Sequence, residues 1–226
     1  MELDNRTLLL VAGFAAAVQT AALFYVWRTQ LRERSVGLLT LGFALITFGA
    51  ALQASRPMLH PILTIVAGNA AHVGGQALLS LAICAFTGRT LSATFPVWLA
   101  AFTAAIFAVF TFASPDIGIR IVIASLLVGL SLLPAILALL PIPAGPLRRT
   151  YWPLGILLLI HSIFALARGA ATVIGGAPGD FFASSAVTTA WLLESFAVVN
   201  LVALCLVLMI SQRREMDLVA RSEMAG

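Results

Sequence analysis

A few polar side chains stand inside long apolar runs in a chain that is 61% hydrophobic and only 10% charged. Each is costly in hydrocarbon, so each marks a place where chemistry or packing requires it. Asn69, His72, Gln76 and Ser80 follow one another at spacings of three, four and four, which sets them on one stripe of a helix. His161, Arg168 and Thr172 share a second helical face in the same way. Glu194 and Asn200 lie six apart in a third run and therefore on different faces, and Gln19 stands alone in the first.

Counting along the helices places His72 and His161 near the middle of a bilayer, and Arg168 and Glu194 within about two turns of one surface. Arg168 and Glu194 lie on consecutive antiparallel segments, and pairing them neutralises two charges at that depth. With Asn69, His72, Gln76, His161 and Asn200 they outline a small polar cavity, open to the outer face, that receives a ligand or senses the membrane. The plainer alternative is packing. Amides and hydroxyls in spans bond neighbouring helices for ~0.6 kcal/mol each, and Ala67, Ala71 and Gly75 beside the stripe suit close approach. Under that alternative Arg168–Glu194 is a structural clamp.

Facing imidazoles from His72 and His161 supply a different chemistry, ligation of one haem iron as in b-type membrane cytochromes. Nothing else in the sequence is specific to haem, and no other cofactor and no metal site is expected. His60, beside Pro61, reads as an exposed loop residue. Cys84 and Cys205 fall inside apolar runs as small hydrophobes. All 13 basic residues are arginines, so a retinal Schiff base has no lysine to form on. There is no Gly-x-Ser-x-Gly, His-Glu-x-x-His or phosphate-binding glycine loop, and Asp116 and Asp180 fall in loops. These absences argue against an enzyme.

The elements that position these residues are transmembrane helices. A mean hydropathy of +1.05 suits lipid as solvent, since a soluble domain carries about 25% charged residues. Seven apolar segments run Thr7–Trp27, Val36–Ala54, Ile62–Phe86, Phe95–Ala113, Ile117–Leu140, Tyr151–Ile174 and Thr189–Ile210. Each is long enough to cross ~30 Å of hydrocarbon at ~1.5 Å per residue. Breakers separate them, including Ser55-Arg-Pro, Thr87-Gly-Arg, Ser114-Pro-Asp, Pro141 to Pro146 and Gly175 to Asp180. The first segment follows two acids and outruns a cleavable signal core, so it reads as a retained span.

Arginine placement orients the stack. Arg28, Arg32, Arg34, Arg89, Arg148, Arg149, Arg213, Arg214 and Arg221 fall on one side, against Arg6, Arg56 and Arg120 on the other. Nine against three, alternating loop by loop, puts the N-terminus outside and the C-terminus in the cytoplasm. Trp27, Trp98, Tyr151, Trp152 and Trp191 fall near span ends, where aromatic belts form. The basic charge sits at helix ends, not on one face, and so does not indicate nucleic acid.

Between Thr188 and Ala225 there is neither glycine nor proline, so the last span should continue as one helix into a tail. Arg213–Asp217 and Asp217–Arg221 are spaced to support it as ion pairs. Met209, Met216 and Val219 form a short apolar seam compatible with a parallel homodimer, the alternative being a solvated end.

Several stretches resemble the multispanning N-terminal sensor region of bacterial diguanylate cyclases with GGDEF output domains. They are Leu3-Asp-Asn-Arg-Thr-Leu-Leu-Leu, Trp27-Arg-Thr-Gln, Gly68-Asn-Ala-Ala with Phe86-Thr-Gly-Arg, and Gln212-Arg-Arg-Glu-Met-Asp-Leu-Val-Ala-Arg-Ser. In that family the last stretch links the final span to an Asp-x-Leu-Thr-Gly segment and the catalytic domain. This sequence stops at Ser222-Glu-Met-Ala-Gly226, so no catalytic residue carries over. The resemblance implies a sensory input module whose output is missing, truncated or supplied by a cytoplasmic signalling partner. A small carrier or haem electron-transfer protein is the other reading. Either way the expected fold is an all-α polytopic bundle over residues 1–210 with a helical tail over 211–226, embedded in the lipid bilayer of a bacterial inner membrane.

Overall fold

The computed structural model describes residues 5–31, 33–56, 58–141, 148–177, 179 and 186–225. Arg32, Asp180 and most of the two proline- and glycine-rich loops lie outside them. Among the described residues seven helices, counted with the π turns that extend three of them, are each long and apolar enough to cross a membrane. They are α1 (Asn5–Val26), α2 (Arg34–Ala54), α3 (Gly68–Phe86), α4 (Phe95–Ala108), α5 (Ile117–Leu139), α6 (Arg148–Gly175) and α7 (Ala186–Ala225). Wider π turns extend three of them, at Trp27–Leu31 after α1, Ile62–Ala67 before α3 and Val109–Ala113 after α4. The chain is thus an all-α polytopic membrane protein, as its hydropathy requires.

Helices satisfy their own backbone polar groups, which is why they suit hydrocarbon. Hydroxyls inside the spans do the same: Thr40, Thr47, Thr103 and Ser162 each bond the carbonyl four residues back. Chain punctuation ends the helices. Pro96 starts α4 and the Asp116 carboxylate accepts from Ile119 N at 2.9 Å to cap α5. Gly88 after α3 and Gly176 after α6 take positive φ, a conformation that favours glycine.

Successive helices alternate in direction, so the bundle has an N-terminal face, where α1 begins, and a C-terminal face, where α7 exits. Ties across the N-terminal face include Arg6 Nε to Ala54 O and Thr189 Oγ1 to Asn5 Oδ1. On the C-terminal face Arg213 donates to Phe86 O at 2.7 Å and lies 4.7 Å above the Phe86 ring. That capture replaces the expected Arg213–Asp217 pair, and neither tail pair forms among the described residues.

The main core packs Phe43, Ile83, Leu132, Leu139, Leu154 and Leu206 toward the C-terminal face. Large apolar side chains such as Phe14, Phe48, Phe102, Leu126, Ile163 and Leu204 are exposed around the outside, as lipid permits. Helices α2 and α3 meet almost backbone to backbone. A Cβ on Gly42 or Gly75 would lie 2.9 or 2.7 Å from the other's carbonyl, and one on Gly49 would lie 2.7 Å from Gly68 O. Gly75 of the expected Ala67–Ala71–Gly75 run belongs to this glycine seam. It presses α3 into the bundle and turns the His72–Gln76 stripe inward.

Candidate functional site

Gln76, only 5% exposed, is the centre of the interior polar network. Its amide nitrogen lies 3.3 Å from His72 Nε2, one turn back on α3, and 3.5 Å from His161 Nε2 on α6. Its Oε1 lies 3.1 Å from Ser131 Oγ of α5, whose hydroxyl also reaches Val128 O at 2.7 Å. One turn further along α3, Ser80 Oγ donates to Ser131 O at 2.6 Å. His161 Nδ1 in turn meets the Glu194 carboxylate of α7 at 2.9 and 3.1 Å. Three helices, α3, α6 and α7, therefore meet in one connected chain, Glu194–His161–Gln76–His72, and α5 joins it through Ser131.

With the amide nitrogen toward them, neutral rings accept at Nε2 and carry their proton on Nδ1. In His161 that proton points at Glu194. In His72 the Nδ1 has no partner among the described residues and is buried. Because the Gln76 amide stands between the two rings, an iron bridging them would have to displace it.

The expected Arg168–Glu194 pair does not form. Glu194 is taken by His161, and the Arg168 guanidinium lies 4.0 Å over the Trp191 ring, a cation–π contact. Register explains the difference. On α7 it is Trp191 that lies level with Arg168, and Glu194, three residues further on, falls about one turn deeper, facing His161. Trp191, read from sequence as part of an interfacial belt, becomes the floor beneath the arginine.

Asn200 is also placed elsewhere. It accepts from Gln19 of α1 at 3.2 Å and bonds Phe196 O of its own helix, as its spacing from Glu194 requires. Thr172 bonds the Arg168 carbonyl one turn back. His60 is exposed, with Nδ1 accepting from Ile62 N and its ring stacked on Phe112. Cys84 and Cys205 are free thiols.

Above the histidine network, toward the N-terminal face, a cleft opens between α2, α3, α5, α6 and α7. Asn69, His72 and Gln53 line it with three arginines, Arg56, Arg120 and Arg168. Arg120 donates to Asp116 O at 3.3 Å and reaches Thr111 Oγ1 at 3.5 Å. No carboxylate is among the described residues of the lining. Sequence reasoning found Asn69, His72 and Arg168 but counted Arg56 and Arg120 as loop charges. The only hint was that each sits within a turn of a span end. His72 also borders an inner, mostly apolar space beside Gln76, His161 and Ser195, so it separates the two compartments. Among the described residues, no group of His, Cys, Asp and Glu has the form of a metal site.

No protein-family model and no curated protein matches the chain. The fold and the cleft thus define a seven-helix membrane protein with a cationic pocket on its N-terminal face.

Proposed function

We infer that the chain is a non-catalytic sensory input module of a bacterial inner membrane, with its N-terminal face outside and its C-terminal tail in the cytoplasm. The observation that carries this reading is the reach of α7. One unbroken helix of 40 residues supplies Trp191 beneath Arg168 and Glu194 to His161, then runs on to Ala225. A change in the cleft therefore acts on the same rigid element that leaves the bundle. The segment Gln212 to Ser222 on that element is the one that resembles the linker of GGDEF-type cyclases, which supports a cytoplasmic signalling partner or output domain beyond it. Acidic residues near the C-terminal face are few, Glu33 and the tail acids, and do not make a pocket for two nucleotides and their metal ions.

The test is a graft. A bare cyclase domain fused after Arg221 should change its output of cyclic di-GMP, at constant expression, when His72, Gln76 or His161 is replaced. Indifference to all three replacements would remove the sensory reading and leave packing as their role. Reporter fusions after Arg221 and within 175–180 should be active only in the cytoplasm and only outside, respectively, and the same side for both would overturn the seven-span arrangement.

A further inference from the structure

Apart from Ser195 Oγ in the inner space, partnerless buried polar atoms gather in one place. His72 Nδ1, Ser125 Oγ, Arg168 Nε and Trp191 Nε1 have no hydrogen-bond partner among the described residues, and all four residues line the cleft of the N-terminal face. Arg168 and Ser125 are only 6% and 2% exposed. The guanidinium and the indole can only donate, the Ser125 hydroxyl is free to turn and donate, and His72 Nδ1 carries a proton when the Gln76 amide donates to its Nε2. A wall of donors is the complement of a group that only accepts, which among biological ligands is an ionised oxyanion.

Charge points the same way. Arg56 and Arg120 line the cleft with Arg168, while the two nearest acids are already engaged, Glu194 by His161 and Asp116 as the cap of α5. The rest of the lining selects among oxyanions. Val73, Phe107 and Val128 supply an apolar wall for an organic body.

We propose that the cleft binds a small organic carboxylate, its oxygens facing Arg168 Nε, the Ser125 hydroxyl and the His72 and Trp191 N–H groups. Arg56 and Arg120 add attraction around it. The site deepens the sensory reading by naming its ligand class, and rests on that reading only for what binding does next.

Binding is measured on the full chain in phosphatidylcholine discs, by tryptophan fluorescence at constant ionic strength. Sodium acetate, butyrate and hexanoate are the probes, against butyramide and inorganic phosphate. Butyrate should saturate the signal, and butyramide and phosphate should not. Arg168→Lys keeps the charge but loses the planar fork, and should weaken butyrate by about tenfold or more. Ser125→Ala should weaken it about threefold, and Arg149→Gln, at the C-terminal face, should change nothing. If Arg168→Lys fails to elute as a folded monodisperse species, Arg120→Gln and Ser125→Ala carry the test. The proposal is overturned by no saturable response to any carboxylate, by an equal response to butyramide, or by an unchanged affinity in the folded variants. It is overturned equally if phosphate, or discs containing phosphatidylglycerol, compete as well as butyrate, because the site would then take a phosphate or a lipid headgroup. Butyrate binding that leaves the grafted cyclase unmoved supports the carboxylate site and removes the sensory reading.

Discussion

The two ends of this bundle are built from the same seven helices by opposite rules. Toward the C-terminal face the interior is dry, with Leu132, Leu139, Leu154 and Leu206 packed at 0–1% exposure. Toward the N-terminal face the equivalent interior holds Asn69, His72, Ser125 and Arg168, and the apolar cluster there is small, Leu9, Ala50, Ala54 and Leu192. Gln76 stands between the two regimes. The comparison teaches a division of labour. In lipid the hydrophobic effect does not hold helices together, so the dry half relies on close packing and the polar half is free to leave donors unsatisfied.

That division can be broken most directly in the dry half. Leu139→Ala should lower stability by about 2–5 kcal/mol, read from unfolding in mixed micelles of increasing denaturing detergent. A loss no larger than for a lipid-facing leucine such as Leu204 would show that the C-terminal half is not the part that holds the fold. At the boundary, His161→Ala and Glu194→Gln should be non-additive, with a coupling of about 1 kcal/mol in a double-mutant cycle. The same cycle with Arg168→Gln and Glu194→Gln should give a much smaller coupling, and a larger one would restore the arginine–glutamate pair. The smallest effect belongs to the cleft. Ser125→Ala removes a hydroxyl without a partner and should leave unliganded stability within about 0.5 kcal/mol of the parent. A loss comparable to that of Leu139→Ala would mean that the polar half also carries the fold.

Legibility in the sequence follows the same division. Hydropathy recovers the spans closely, with Ile62–Phe86 and Phe95–Ala113 matching in the structure residue for residue. The Asn69–His72–Gln76–Ser80 stripe is legible because one helix alone determines it, and the structure brings its last three members into one network with Ser131 and His161. What was not legible is register between helices. Glu194 finds His161 and not Arg168 because α6 and α7 meet with Trp191, not Glu194, level with the arginine, and hydropathy within one helix does not encode that offset. The cleft was half visible, since Arg56 and Arg120 look like loop charges until α2 and α5 turn them inward. Met209 illustrates the converse. Read as part of a tail seam with Met216 and Val219, it is fully buried in the bundle, while Met216, Leu218 and Val219 are exposed.

The length of α7 has a mechanical consequence. From Glu194 to Ala225 the helix spans 31 residues, about 46 Å at 1.5 Å per residue, with no glycine or proline to act as a joint. A tilt of about 5° about the glutamate would carry the far tip through about 4 Å, roughly three-quarters of the 5.4 Å rise of a helical turn.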